Sequence, residues 1–158
     1  MTRFRMGWNS GPGKGEEVKF AASEYLNRTT GRFVYMSGGF ANLRTNATVT
    51  SAAQGIFGWA EGPKDDALKN GYKTISGDKL FVISGIEDKF WMPLDTASAS
   101  ANATLIGGYA ACKTANATYA ITQKASNVVA ASANLLIHDF DDVNDAVLVS
   151  IKPAAYMV

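Results

Sequence analysis

The run Leu135-Leu136-Ile137-His138-Asp139-Phe140, then Asp141-Asp142-Val143-Asn144-Asp145, then Ala146-Val147-Leu148-Val149-Ser150-Ile151, decides the fold class. Two apolar runs flank five residues, four of which are Asp or Asn. Such side chains favour turns because they bond to backbone groups close to their own. The stretch reads as a β-hairpin with an acidic turn, closed by Lys152-Pro153, where proline ends the ladder. Its second strand is nearly all apolar, which predicts burial on both faces.

The same pattern recurs along the chain. Val18 to Phe20, Arg32-Phe33-Val34-Tyr35-Met36, Ala47-Thr48-Val49-Thr50, and Gly55-Ile56-Phe57-Gly58-Trp59-Ala60-Glu61 read as short strands between turn residues. So do Tyr72 to Ile75, Lys79 to Ile83, Lys89 to Leu94, Thr104 to Ala110 and Ala117 to Thr122. Short strands spaced by about ten residues predict a mostly β chain, a small antiparallel β-barrel or sandwich. One short helix fits at Gly62-Pro63-Lys64-Asp65-Asp66-Ala67-Leu68-Lys69-Asn70-Gly71, with Pro at its start, acids in its first turn and Asn-Gly as its stop.

Residues 1–17 read as an extended N-terminal arm. Gly7 to Gly15 holds four glycines and a proline, which argues against any regular element there. Yet the arm carries Phe4, Met6 and Trp8, residues for which a disordered tail has little use. The arm is therefore expected to dock, on its own domain or on a neighbouring subunit. Residues 18–158 read as a single β-rich domain. A low-complexity stretch at 96–103, Thr-Ala-Ser-Ala-Ser-Ala-Asn-Ala, marks a long surface loop or a subdivision.

A chain of 158 residues is the size of one ordinary domain. Charged residues are 18%, below the usual ~25%, while Gly, Thr, Ser and Asn number 15, 12, 11 and 10. That mix disfavours long helices with solvated faces. The net charge of +1 lacks the basic excess of a nucleic-acid binder, and Arg3, Arg5 and Lys14 read as a solvated terminus. No run approaches the ~18 apolar residues of a membrane helix, and no signal-peptide pattern opens the chain. A protein made in a cytoplasm, with no nucleic-acid and no membrane partner, is expected.

Residues that carry chemistry are scarce. A Ser-His-Asp triad would have to use His138, which sits inside an apolar run and reads as structural. Cys112, the single cysteine, reads as a small buried hydrophobe and permits no internal disulfide. A zinc site needs about four Cys or His ligands, and the chain has two such residues. Asp139 and Asp141 begin a calcium-loop spacing, but Val143 breaks it and the expected Gly and distal Glu are missing. Glu16, Glu17, Glu24, Glu61 and Glu87 form no glycosidase motif. Gly11-Pro12-Gly13-Lys14-Gly15 lacks the Lys-Ser/Thr ending of a phosphate loop. Asn-x-Thr at Asn27, Asn46, Asn102 and Asn116 reads as turn chemistry leading into strands. No catalytic, cofactor-binding or metal site is expected.

What remains are aromatic anchors. In Phe90-Trp91-Met92 a strand would turn Phe90 and Met92 to one side and Trp91 to the other. Phe4, Met6, Trp8 and Trp91 are the candidate partner-binding residues. A binding or assembly protein, not an enzyme, is expected. A carbohydrate-binding module is an alternative, suggested by Trp8, Trp59 and Trp91.

The segment Thr30 to Glu61, with Gly31-Arg32-Phe33-Val34-Tyr35, Asn46-Ala47-Thr48-Val49-Thr50 and Gly55-Ile56-Phe57-Gly58-Trp59-Ala60-Glu61, resembles the opening of bacteriophage capsid decoration (cement) proteins. The resemblance implies a virion structural protein on the capsid surface. It implies the major capsid protein as partner and a homo-oligomer, a trimer being favoured. Such a protein sits over joints between capsid subunits and clamps the shell. Another phage structural subunit, of tail tube or head completion, is a further alternative.

Overall fold

The short apolar runs fold as antiparallel strands. The computed structural model describes residues 7–26, 31–43, 55–61, 72–94, 101–113, 124–125 and 134–156. The strands are β1 (Gly7–Ser10), β2 (Gly15–Lys19), β3 (Tyr25–Leu26), β4 (Arg32–Ser37), β5 (Phe40–Leu43), β6 (Gly58–Ala60), β7 (Tyr72–Lys73), β8 (Lys79–Ile83), β9 (Lys89–Pro93), β10 (Tyr109–Ala110), β11 (Cys112–Lys113), β12 (Lys124–Ala125), β13 (Leu135–Asp141) and β14 (Ala146–Ile151). One five-stranded sheet runs β1-β9-β14-β13-β10 and the other β2-β8-β6-β4-β5. β3-β7 and β11-β12 are separate pairs. Neither large sheet closes through a ladder between its edge strands, and the two pack as a sandwich.

The predicted hairpin is the spine of the first sheet. β13 pairs with β14 from Leu135–Ile151 to Asp141–Ala146, with one irregularity beside His138. All six residues of β14 are buried. Val147, Val149 and Ile151 enter the core between the sheets, and Ala146, Leu148 and Ser150 are covered on the opposite face.

The second sheet is buried on both faces at its centre. Phe33, Trp59 and Ile83 turn toward the first sheet, while their neighbours Val34, Ala60 and Val82 enter a second, smaller core with Val18, Phe20, Leu26, Ala41 and Leu43. Strict alternation of side chains makes this possible. The sheet curls until its edges touch at one bridge, Phe20–Ala41, where Ala21 N–H donates to the Ala41 carbonyl at 3.0 Å.

Three rings lock the sheets together. Trp59 stacks on Phe90 with centroids 5.1 Å apart, and Phe33 meets both edge-on at 4.7 Å and 5.5 Å. Each ring is buried, and such pairs add about 0.5–1.5 kcal/mol beyond their burial. Gly31 is fixed by this cluster. Its φ is +65°, and a Cβ there would lie 2.5 Å from the Trp59 indole.

Several expectations need correction. The glycine-rich stretch from Gly7 is not irregular throughout, because Gly7–Ser10 pairs with β9 as an edge strand. An edge tolerates the glycine and a bulge at Asn9, since only one side of the ladder is used. Of the two ways the arm was expected to dock, residues 7–10 lie on their own domain. Thr104 to Ala110 is not one strand. Asn102 Oδ1 accepts the Thr104 N–H at 3.0 Å and caps a 3-10 turn, Ala103–Leu105, before Gly107 and Gly108 interrupt the run. Phe40–Leu43, not marked as a strand by sequence, folds back on β4 beyond Gly38-Gly39. The predicted helix at 62–71 and the predicted strands at 47–50 and 117–122 lie outside the described residues.

Candidate functional site

The two candidate partner-binding residues that the structure describes, Trp8 and Trp91, do not share one face. Phe4 and Met6 lie outside the described residues. Trp8 sits on β1 opposite Phe90, and Trp91 sits on β9 opposite Gly7. Successive residues of a strand face opposite sides, so Trp8 shares the inner face with Phe90 while Trp91 takes the outer face. The prediction that Phe90 and Met92 turn one way and Trp91 the other holds. Phe90 and Met92 are buried, and Trp91 is half-buried.

Trp8 is exposed yet fixed. It is 39% exposed, and its indole Nε1–H donates to Asp88 Oδ1 at 2.8 Å. The same oxygen accepts the Gly13 N–H at 2.7 Å. Asp88 is itself buried, and both bonds are partly buried. The backbone at Gly11 wraps against this carboxylate. Its φ is +119°, and a Cβ would lie 2.7 Å from Asp88 Cα. Glu61 adds a weaker tie, its Oε1 accepting the Trp8 N–H at 3.3 Å and Trp59 Nε1–H at 3.4 Å, both long for such bonds. One buried acid at the start of β9 thus holds both β1 and the turn after it.

A second polar group lies on β13 and β14. His138 Nε2 and Ser150 Oγ are 2.7 Å apart. Burial, and then the charge of Lys89, hold the His138 imidazole below its ordinary pKa. A histidine bonded to a serine is the pairing that nucleophilic catalysis starts from. Here Ser150 is buried, and the adjacent Asp139 turns Oδ1 to the Phe140 N–H at 2.8 Å. The arrangement reads as a hydrogen bond that satisfies a buried hydroxyl on β14. His138 therefore stands within a strand, at its bulge.

A buried arginine lies at the start of β4. Arg32 Nη1–H donates to the Tyr25 carbonyl at 2.8 Å, and its Nε–H has no hydrogen-bond partner. Burial lowers its pKa against the pull of Glu24. Glu24 is shifted upward by burial, countered by the Leu43 N–H at 3.0 Å and by the Arg32 charge. Cys112 is buried, as its apolar setting predicts. In the acidic turn, Asp141 Oδ1 accepts the Val143 and Asn144 N–H groups at 3.0 and 2.9 Å, the turn chemistry expected there. Among the described residues, no three His, Cys, Asp or Glu side chains are placed to hold a metal ion.

Sequence reasoning named Trp8 as a candidate and did not name Asp88, the residue that fixes it. No local signal marks an acid 80 positions away as its partner. No family model, no curated protein and no solved structure matches this chain.

Proposed function

We propose that this chain is a non-catalytic virion protein that decorates a phage capsid, binding the outer shell between major capsid subunits and stabilising it. The observation that carries the reading is Trp8, a large aromatic residue at a sheet edge that is exposed but locked by Asp88. A pre-ordered aromatic anchor binds a partner without first losing side-chain freedom. The resemblance over Thr30 to Glu61 supplies the partner class. Its described parts, from Gly31 to Leu43 and from Gly55 to Glu61, build the β4, β5 and β6 strands of the sandwich. Repetition on a lattice would let a small contact hold by avidity. The carbohydrate alternative loses Trp59 as a platform, because that ring is buried.

The test is co-sedimentation of the purified chain with undecorated phage shells. Trp8→Ala, with β1 retained, is expected to weaken binding at least tenfold. Removal of residues 1–6 is expected to weaken it further without unfolding the sandwich. Unchanged binding by both variants, or no binding by the intact chain to any shell, overturns the reading.

A further inference from the structure

We propose that β1 is an exchangeable strand, and that the groove along β9 also accepts β1 from a second copy of this chain. The proposal does not rest on the capsid reading.

β1 belongs to the sheet but to neither core. No residue of Gly7–Ser10 is a member of the two apolar clusters. Leaving the sheet therefore withdraws no side chain from either core, and the main apolar surface it uncovers on β1 is that of Trp8, which is 39% exposed in place. Its ladder with β9 has three partnered positions and an irregularity, whereas β14 pairs with the other side of β9 at five. The side-chain ties that hold it are Asp88 and Glu61, carboxylates of the body far away in sequence. Such a receptor cannot distinguish its own β1 from the identical strand of another copy.

The connector favours exchange. Gly11-Pro12-Gly13-Lys14 carries the chain from one sheet to the other, with φ of +119° at Gly11 and +62° at Gly13. That reversal is the hinge, and opening it extends β1 away from its own body. The vacated groove would expose the β9 edge, Lys89–Pro93, whose unpaired backbone groups invite another strand. A second copy's β1 restores the bonds that β1 itself makes, including Trp8 Nε1–H to Asp88 of the other chain. Exchange of an identical element in this way is a low-cost route to a dimer.

Ser10 and Lys89 are partners in the β1–β9 ladder, and this permits a direct test. One chain carries Ser10→Cys and another Lys89→Cys, both on a Cys112→Ala background. They are mixed, unfolded in urea, refolded together at high concentration and oxidised. Exchange predicts a covalent heterodimer joining the two single variants. A chain carrying both changes, refolded dilute, is expected to close on itself and run as a monomer. Absence of the heterodimer overturns the proposal. As a second measurement, a chain lacking Pro12 and Gly13, too short to turn back, is expected to be a dimer by light scattering. A chain lacking residues 1–14 is expected to be a monomer. A monomeric short-connector chain, or a dimer that persists without β1, also overturns it. Capsid binding plays no part in either readout, so the two proposals fail separately.

Discussion

β14 and β1 flank the same strand, β9, and are held by opposite means. Every residue of β14 is buried, and three of its side chains fill the core between the sheets. On β1 only Gly7 is buried, and the strand is tied down by a carboxylate. Apolar burial is non-directional and grows with area, so β14 cannot leave without opening the core. The Trp8 bond to Asp88 and a three-position ladder with β9 are directional and local, so β1 leaves without withdrawing a side chain from either core. The same sheet thus contains a permanent strand and a detachable one.

The largest expected effect falls on β14. Ile151→Ala should cost about 2–5 kcal/mol, the range for deleting a buried branched side chain from a packed core. Urea denaturation followed by tryptophan fluorescence measures it. A loss no greater than that of a surface substitution would remove the contrast.

Asp88→Ala should cost less, about 1–3 kcal/mol, because it leaves the Trp8 and Gly13 donors without their acceptor. Its effect should also be local. Amide hydrogen exchange should accelerate at residues 7–14 while β13 and β14 keep their protection. Uniform acceleration across the sheet would mean that β1 is as integral as β14.

The smallest effect concerns the His138–Ser150 side-chain bond on β14. The folded state holds His138 below its ordinary pKa, so the unfolded chain takes up the proton first as pH falls through about 6.5. Above that value both states are neutral and the term vanishes. Below it the fold loses stability, until His138 is protonated in the folded state too. The fall in urea midpoint between pH 7.5 and 5.5 should be shallower in His138→Gln than in the parent. Equal slopes would show that the histidine does not couple to folding.

Much of this architecture was legible. The hairpin from Leu135 to Ile151, the strands at Arg32, Lys79 and Lys89, and the buried Cys112 follow from apolar periodicity and turn residues, which act over a few positions. The edge strand at Gly7 was not legible, because glycine-rich sequence becomes a strand only when a neighbour such as β9 offers a ladder. The run after Asn102 misled for a related reason. A single side-chain cap outweighed the strand preference of the residues behind it.

By itself the sequence determined a mostly β chain, a barrel or a sandwich, since alternation and turn chemistry are local properties. Only the tertiary structure decided that the two faces of β4, β6 and β8 serve different cores, that Trp8 and Trp91 point away from each other, and that Asp88 holds Trp8. Each of these depends on which strands lie side by side. Register and long-range hydrogen bonds join residues 50 to 80 positions apart, with no trace in the spacing of either partner.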